Sequence, residues 1–154
     1  MKRMHQRMPT PFPWPEPPPP SCPVLKLLQG QTALVTGASS GIGRAIAIAL
    51  GHAGANVVVN FFGQPDKALE VAEEVRRCGS RAIAVPADVS DPQQVRVMFE
   101  RAVAEFGRLD ILVNNAGIQL DAAFEDLTLE QWQRVMDVNL TGPFFVLPGG
   151  RAAL

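Results

Sequence analysis

Eight residues that follow a short apolar run, Thr36-Gly-Ala-Ser-Ser-Gly-Ile-Gly43, have the makings of a phosphate cradle. Gly37 lets the chain turn sharply, Gly41 leaves the backbone open to a pyrophosphate, and Gly43 allows a following helix to pack closely. A helix that starts here offers unpaired N–H groups and the positive end of its dipole to an anion. Ser39 and Ser40 add hydroxyl donors, and Ile42 completes the loop. The spacing is G-x-x-x-G-x-G, distinct from the G-x-G-x-x-G of many dinucleotide-binding turns. Glycines also make ordinary turns, so the weight of the motif rests on a strand before it and a helix after it.

Other reactive side chains are sparse. The two histidines, His5 and His52, and the two cysteines, Cys22 and Cys78, have no metal-ligand spacing, so no metal site is expected. Two thiols so placed make no disulfide framework, which suits a reducing cytoplasm. Fourteen basic against fifteen acidic residues give a net charge of −1, which argues against nucleic-acid and membrane-surface partners. No stretch reaches the ~18 apolar residues of a membrane span. The chain contains no tyrosine.

The elements that must position the loop can be read from periodicity. Thr32–Thr36, Asn56–Asn60, Ala82–Pro86 and Asp110–Asn115 are short apolar runs expected as strands. Between the first two, Ile42, Ala45, Ile46, Ala49 and Leu50 trace one helical face, with Gly51 and Gly54 expected to end that helix. Pro65 opens a second helix with Ala68, Val71, Ala72 and Val75 inward and a Glu73–Arg77 pair outward. A third starts at Ser90, with Gln93 at capping-box spacing, and buries Val95, Met98, Phe99, Ala102 and Phe106. Thr128 and Gln131 have the same spacing ahead of a helix carrying Val135 and Val138. Strands that are apolar throughout and alternate with helices predict an α/β fold, a doubly wound parallel sheet.

The ends differ in texture. Nine of the fourteen prolines lie within residues 1–23, so residues 1–24 are expected to be an extended tail outside the domain at 25–147. At the other end, Pro148-Gly149-Gly150 is expected to break the last helix, leaving residues 148–154 as an aberrant end.

Taken together, "TGASSGIG", "NNAG" (Asn114–Gly117), "ADVSD" (Ala87–Asp91) and "DVNLTG" (Asp137–Gly142) resemble the short-chain dehydrogenase/reductase family, over about residues 25–147. The resemblance implies a Rossmann-type sheet with the fourth strand beside the first, NAD or NADP as cofactor, and a small alcohol or carbonyl substrate. It is strongest toward the glucose 1-dehydrogenase-like branch, with 3-oxoacyl carrier-protein reductases next. Carried over position by position, it implies that Asp88 hydrogen-bonds the adenine, with Val89 beside it, and that Asn115, Ala116 and Gly117 line the cofactor site. Asn139 becomes the structural and catalytic asparagine that holds a water of the proton relay. Full-length relatives suggest a homo-oligomer.

The second strand ends in Asn60-Phe61-Phe62, with neither the acid that would select NAD nor an arginine for the phosphate of NADP, so both cofactors stay open. The family's chemistry further implies a serine and a Tyr-x-x-x-Lys pair beyond the asparagine. Here Lys2, Lys26 and Lys67 all precede Asn139. General acid–base catalysis typically contributes about 10²–10⁴-fold, so the 154 residues alone are expected not to turn over. The competing expectation is a non-catalytic nucleotide-binding or interaction module, or a gene remnant. In either case, an uncovered fourth strand would be an apolar, aggregation-prone edge.

Overall fold

Runs such as Val57-Val58-Val59 are β-branched and apolar on both faces, which favours strands covered on both sides. The computed structural model describes residues 25–153, and the expected Pro-rich tail lies outside them. Four strands, β1 (Thr32–Val35), β2 (Asn56–Phe61), β3 (Ala82–Pro86) and β4 (Ile111–Val113), form one parallel sheet in the order β3-β2-β1-β4. Leu34 lies level with Val58 on one side and Leu112 on the other, which fixes the register. This is the doubly wound sheet expected, with β4 beside β1. Among the described residues β4 pairs with β1 alone, and its three residues are half-buried.

Alternation along the strands divides the apolar residues into two cores. Val35, Val57 and Val59 meet α1 (Gly41–His52) and α2 (Pro65–Arg77) through Ala47, Ala68, Val71 and Val75. On the other face Leu34, Val58 and Val85 meet α3 (Pro92–Phe106) through Val95, Met98, Phe99 and Ala102. Val138 and Val146 complete that second core from the C-terminal helical region. This region comprises α4 (Leu129–Met136), a π-helical segment (Asp137–Thr141) and α5 (Gly142–Ala153). No helix among the described residues is long and apolar enough to cross a membrane.

Several local expectations change. The buried face of α1 is Gly43, Ala47 and Gly51, while Ile42 is 75% exposed and Ala45 and Ala49 are exposed. The reason is close approach: a Cβ on Gly51 would sit 2.7 Å from Val75 Cγ1, so small residues must face inward. Gly51 therefore lies inside α1 and packs against α2, and Gly54, with φ +97°, follows the helix. Asp91, rather than Ser90, caps α3, accepting from the Gln93 and Gln94 amides at 2.8 and 3.3 Å. Pro92 fits the first helical position, which moves the cap one residue onward. On α2, Glu73 pairs with Arg76 at 3.0 Å in place of the expected Arg77. Phe106 is half-buried rather than buried. The Thr128–Gln131 capping box forms in full.

The expected break at Pro148 does not occur, because α5 runs through to Ala153. Proline removes one i→i−4 bond and leaves its neighbours' bonds intact, and the helix is already anchored by the buried Val146.

Candidate functional site

The loop from β1 into α1 is held open by two left-handed glycines, Gly37 with φ +63° and Gly41 with φ +54°. They do different things. A Cβ on Gly37 would lie 2.9 Å from Ala116 Cα, so the loop touches the segment after β4; a Cβ on Gly41 would meet nothing within 4 Å. Gly43 is needed for the loop itself, since its Cβ would collide with Asn115 Nδ2 and lie 2.5 Å from the Gly37 carbonyl. Ser40 stands at the N-cap of α1 but makes no side-chain cap bond. Capping is the usual use of a serine there, so its hydroxyl is left for another partner.

Three polar side chains join the loop to its surroundings. Thr36 Oγ1 accepts from the Asn115 and Ala116 amides at 2.9 and 3.0 Å and donates to the Val113 carbonyl at 3.3 Å. Asn115 returns the clasp, donating from Nδ2 to the carbonyls of Thr36 at 2.9 Å and Gly37 at 3.2 Å. Asn60 is 1% exposed: its Oδ1 accepts from the Gly37 amide at 3.2 Å, and its Nδ2 donates to Val85 and Ala87 carbonyls at 3.3 and 3.1 Å. Asn60 thus ties β2, β3 and the loop together from the interior.

Past β3, Asp88 is gripped on both oxygens. Ser90 donates to Oδ1 from its amide at 2.9 Å and its hydroxyl at 2.6 Å, and Arg134 of α4 donates to Oδ2 at 2.9 Å. Burial pushes the Asp88 carboxyl up, but the Ser90 bonds and the Arg134 guanidinium outweigh it and hold the group below its ordinary value.

The fourth motif acts through backbone. Asn139 Oδ1 accepts from the Ile118 amide at 2.8 Å, and Nδ2 donates to the Ile118 carbonyl at 2.9 Å. The helix widens at this point: the Gly142 amide bonds the Asp137 carbonyl, an i→i−5 step. Pro143 has no amide hydrogen for the Asn139 carbonyl, and a π turn relieves the clash of its ring with that carbonyl.

These elements enclose an open cavity of about 560 Å³ at the carboxyl ends of the strands, within the size range of small-molecule sites. Its wall includes Gly37, Ser39, Ser40, Gly41, Ile42, Gly43, Asn60, Asp88, Val89, Asn115, Ala116 and Gly117. All twelve residues read as cofactor-binding come to one wall. Asn139 is not on that wall but is clamped to Ile118, which is. Phe62, Gln64, Ala87, Ile118, Arg134 and Val138 also line the cavity and were not anticipated. Thr36 could have been suspected as the polar end of an apolar strand. Arg134 had no sequence signal, since its partner lies 46 residues away. Among the described residues no group of three or more His, Cys, Asp or Glu side chains could hold a metal. His52 and Cys78, with Nε2 and Sγ 3.3 Å apart, sit where α1 and α2 end.

Comparisons with known proteins agree with this arrangement. A family described as "short chain dehydrogenase" matches residues 31–149. Glucose 1-dehydrogenase 2 of Bacillus subtilis is 45% identical over 130 residues, 84% of this chain and 49% of that protein. A 3-oxoacyl-[acyl-carrier-protein] reductase of Staphylococcus aureus is 46% identical over 114 residues, 74% of this chain and 46% of that protein. Among solved structures, a short chain dehydrogenase from Burkholderia cenocepacia in complex with NADP aligns with a TM-score of 0.80 at 41% identity. That alignment covers 83% of this chain and 52% of the other. The chain spans about half the length of the curated relatives it matches.

Proposed function

The chain belongs to the short-chain dehydrogenase family, and we propose that its cavity holds a nicotinamide dinucleotide, as the cofactor-binding part of an oxidoreductase. The observation that carries this reading is the opening at Gly41, where a left-handed glycine with empty space around it begins a twelve-residue helix. A dipole end and unpaired amides at such a position suit a pyrophosphate. The residues fit the group, since a Cβ there would fill the cradle's mouth. When bound, the dinucleotide supplies or accepts a hydride.

The chain's own residues bind and orient. The first amides of α1, with the Ser39 and Ser40 hydroxyls, hold the phosphates. Asp88, ionised and acceptor-only, takes an amino group of the base, with Val89 beside it. Asn115 keeps the loop in shape, while Ala116 and Gly117 form the wall next to it. Asn139 positions the end of the Ala116–Ile118 wall through Ile118, and its carbonyl, deprived of an α-helical donor by Pro143, is the group offered to a relay water.

NAD and NADP are both admitted on this reading. Asn60 is buried with both its amide hydrogens and its oxygen engaged, and Phe62 and Gln64, which follow it in the chain and also line the cavity, are neutral. The substrate class proposed is an alcohol or carbonyl, with a sugar such as glucose first, because one similar curated relative is a glucose dehydrogenase. The 154 residues contain no tyrosine, which favours binding without turnover by this chain alone.

Titration with NADH and NADPH, followed by nicotinamide fluorescence, tests the site. Saturable binding is expected for both. Gly41→Asp places a carboxylate against the phosphates and should weaken binding by at least about tenfold, or ~1.4 kcal/mol. Unchanged affinity in the variant removes the site assignment.

A further inference from the structure

We propose that Arg134 is a positioning residue that aims Asp88 at the purine, so that this cavity prefers a base bearing a 6-amino group over one bearing a 6-oxo group. The inference rests on the reading that the cavity holds a dinucleotide.

Arg134 lies on α4, yet its guanidinium reaches the exit of β3. Nη2 donates to Asp88 Oδ2 at 2.9 Å and Nη1 to Ser90 Oγ at 2.8 Å. Ser90 Oγ in turn donates to Asp88 Oδ1 at 2.6 Å, and the Ser90 amide donates to the same oxygen at 2.9 Å. The three residues close a ring in which each side chain fixes the next. The Asp88 side chain is only 15% exposed and Arg134 is 41% exposed, and both belong to the cavity wall.

An ionised carboxylate has about four acceptor positions and no donor. Three of them are taken, two by Ser90 and one by Arg134, so one remains, on Oδ2. A group arriving there must bring a hydrogen. An exocyclic amine does so; a 6-oxo group presents a second acceptor and is rejected. Arg134 contributes through geometry: by holding Asp88 Oδ2 and Ser90 Oγ at once, its fork stops the carboxyl from rotating. A planar guanidinium holding two partners at once does this better than a flexible ammonium. The contact also spans chain positions 46 residues apart, so the base-recognising end of the cavity exists only once α4 has docked.

The test compares affinities for NADH, its hypoxanthine analogue and reduced nicotinamide mononucleotide, which lacks the purine half. These are measured on the wild type and on Arg134→Met, Arg134→Lys and Ser90→Ala. The wild type should prefer the adenine dinucleotide by about tenfold, the order expected of one hydrogen bond to a charged group. In R134M that preference should fall to nearly nothing, with R134K and S90A intermediate. Mononucleotide affinity should be the same in all four proteins. Overturning results are a wild type indifferent to the base, or R134M (or S90A, if R134M does not fold) keeping the full preference. Equal weakening of all three ligands in R134M would mean a merely structural role and would also refute the inference. A wild type that binds the mononucleotide and neither dinucleotide defeats the dinucleotide reading itself, and the inference with it.

Discussion

Replacing Asn60 by aspartate changes one amide to one oxygen at the place where an acid would ordinarily select NAD. The structure makes this small change costly. Asn60 is 1% exposed, and its Nδ2 is the donor to the Val85 and Ala87 carbonyls at 3.3 and 3.1 Å. In Asn60→Asp the new oxygen faces two carbonyl oxygens with nothing to donate. Each carbonyl left without its partner in the interior costs about 1–3 kcal/mol, so the pair costs about 2–6. At about 2–4 °C per kcal/mol for a chain of this size, a loss of about 4 kcal/mol lowers Tm by about 8–16 °C. The cost depends on pH. Burial and the two carbonyls raise the pKa of an aspartate here above its unfolded value of about 3.9, so the folded state resists losing the proton. The penalty therefore grows as pH rises from about 4 to the folded pKa, and shrinks in acid, where the protonated group can donate to one carbonyl. Urea unfolding of both proteins at pH 5 and pH 7.5 measures it. If N60D stays within about 0.5 kcal/mol of the parent at pH 7.5, a range typical of neutral surface changes, then Asn60 does not hold the strands and loop together as described.

Two further predictions concern the scaffold. Asn139→Ala removes both bonds to Ile118, at about 0.5–1.5 kcal/mol each. Tm should fall by a few degrees, and the Ile118 amide should lose its hydrogen-exchange protection; an Ile118 amide protected as before would refute the clamp. Acid should destabilise the wild type through Asp110 and Asp88. The hydrogen bonds from Arg108, aided by the Thr32 amide at 2.8 Å, hold the Asp110 carboxyl below its ordinary value against the opposing effect of burial. Asp88 is lowered as well. Groups with depressed folded pKa values stabilise the fold above about pH 3.9, and that contribution disappears as pH falls through the folded values. Urea midpoints should therefore be level above pH 5 and drop below about pH 4, with a smaller drop in Asp110→Asn. An identical drop in that variant would remove Asp110 as a contributor.

The parts of this protein set by local rules were legible in its sequence. Strand runs, the helix starts at Pro65 and Thr128, and the glycine loop depend on residues within a few positions of one another, and twelve residues that line the cavity were picked out by motifs at strand ends or, for Asn60, by its place at the end of the second strand. Features that depend on distance between elements were not legible. The apolar stripe of α1 was only partly right: Ile46 and Leu50 pack at the edge of the core, but its centre is Gly43, Ala47 and Gly51, because the gap to Val75 at Gly51 is decided by how closely two helices approach. Asn60, read as a cofactor contact, lies on the cavity wall, and its amide also serves two strands and a loop, which its place in the sequence did not reveal. The pairing of Asp88 with Arg134 joins a strand exit to a helix 46 residues away, and no local pattern encodes such a contact. Sequence determined that an α/β chain with a glycine-rich loop between its first strand and first helix would form. Tertiary structure decided which polar groups support the cavity from behind and which face into it, because hydrogen bonds between distant elements exist only after those elements have packed.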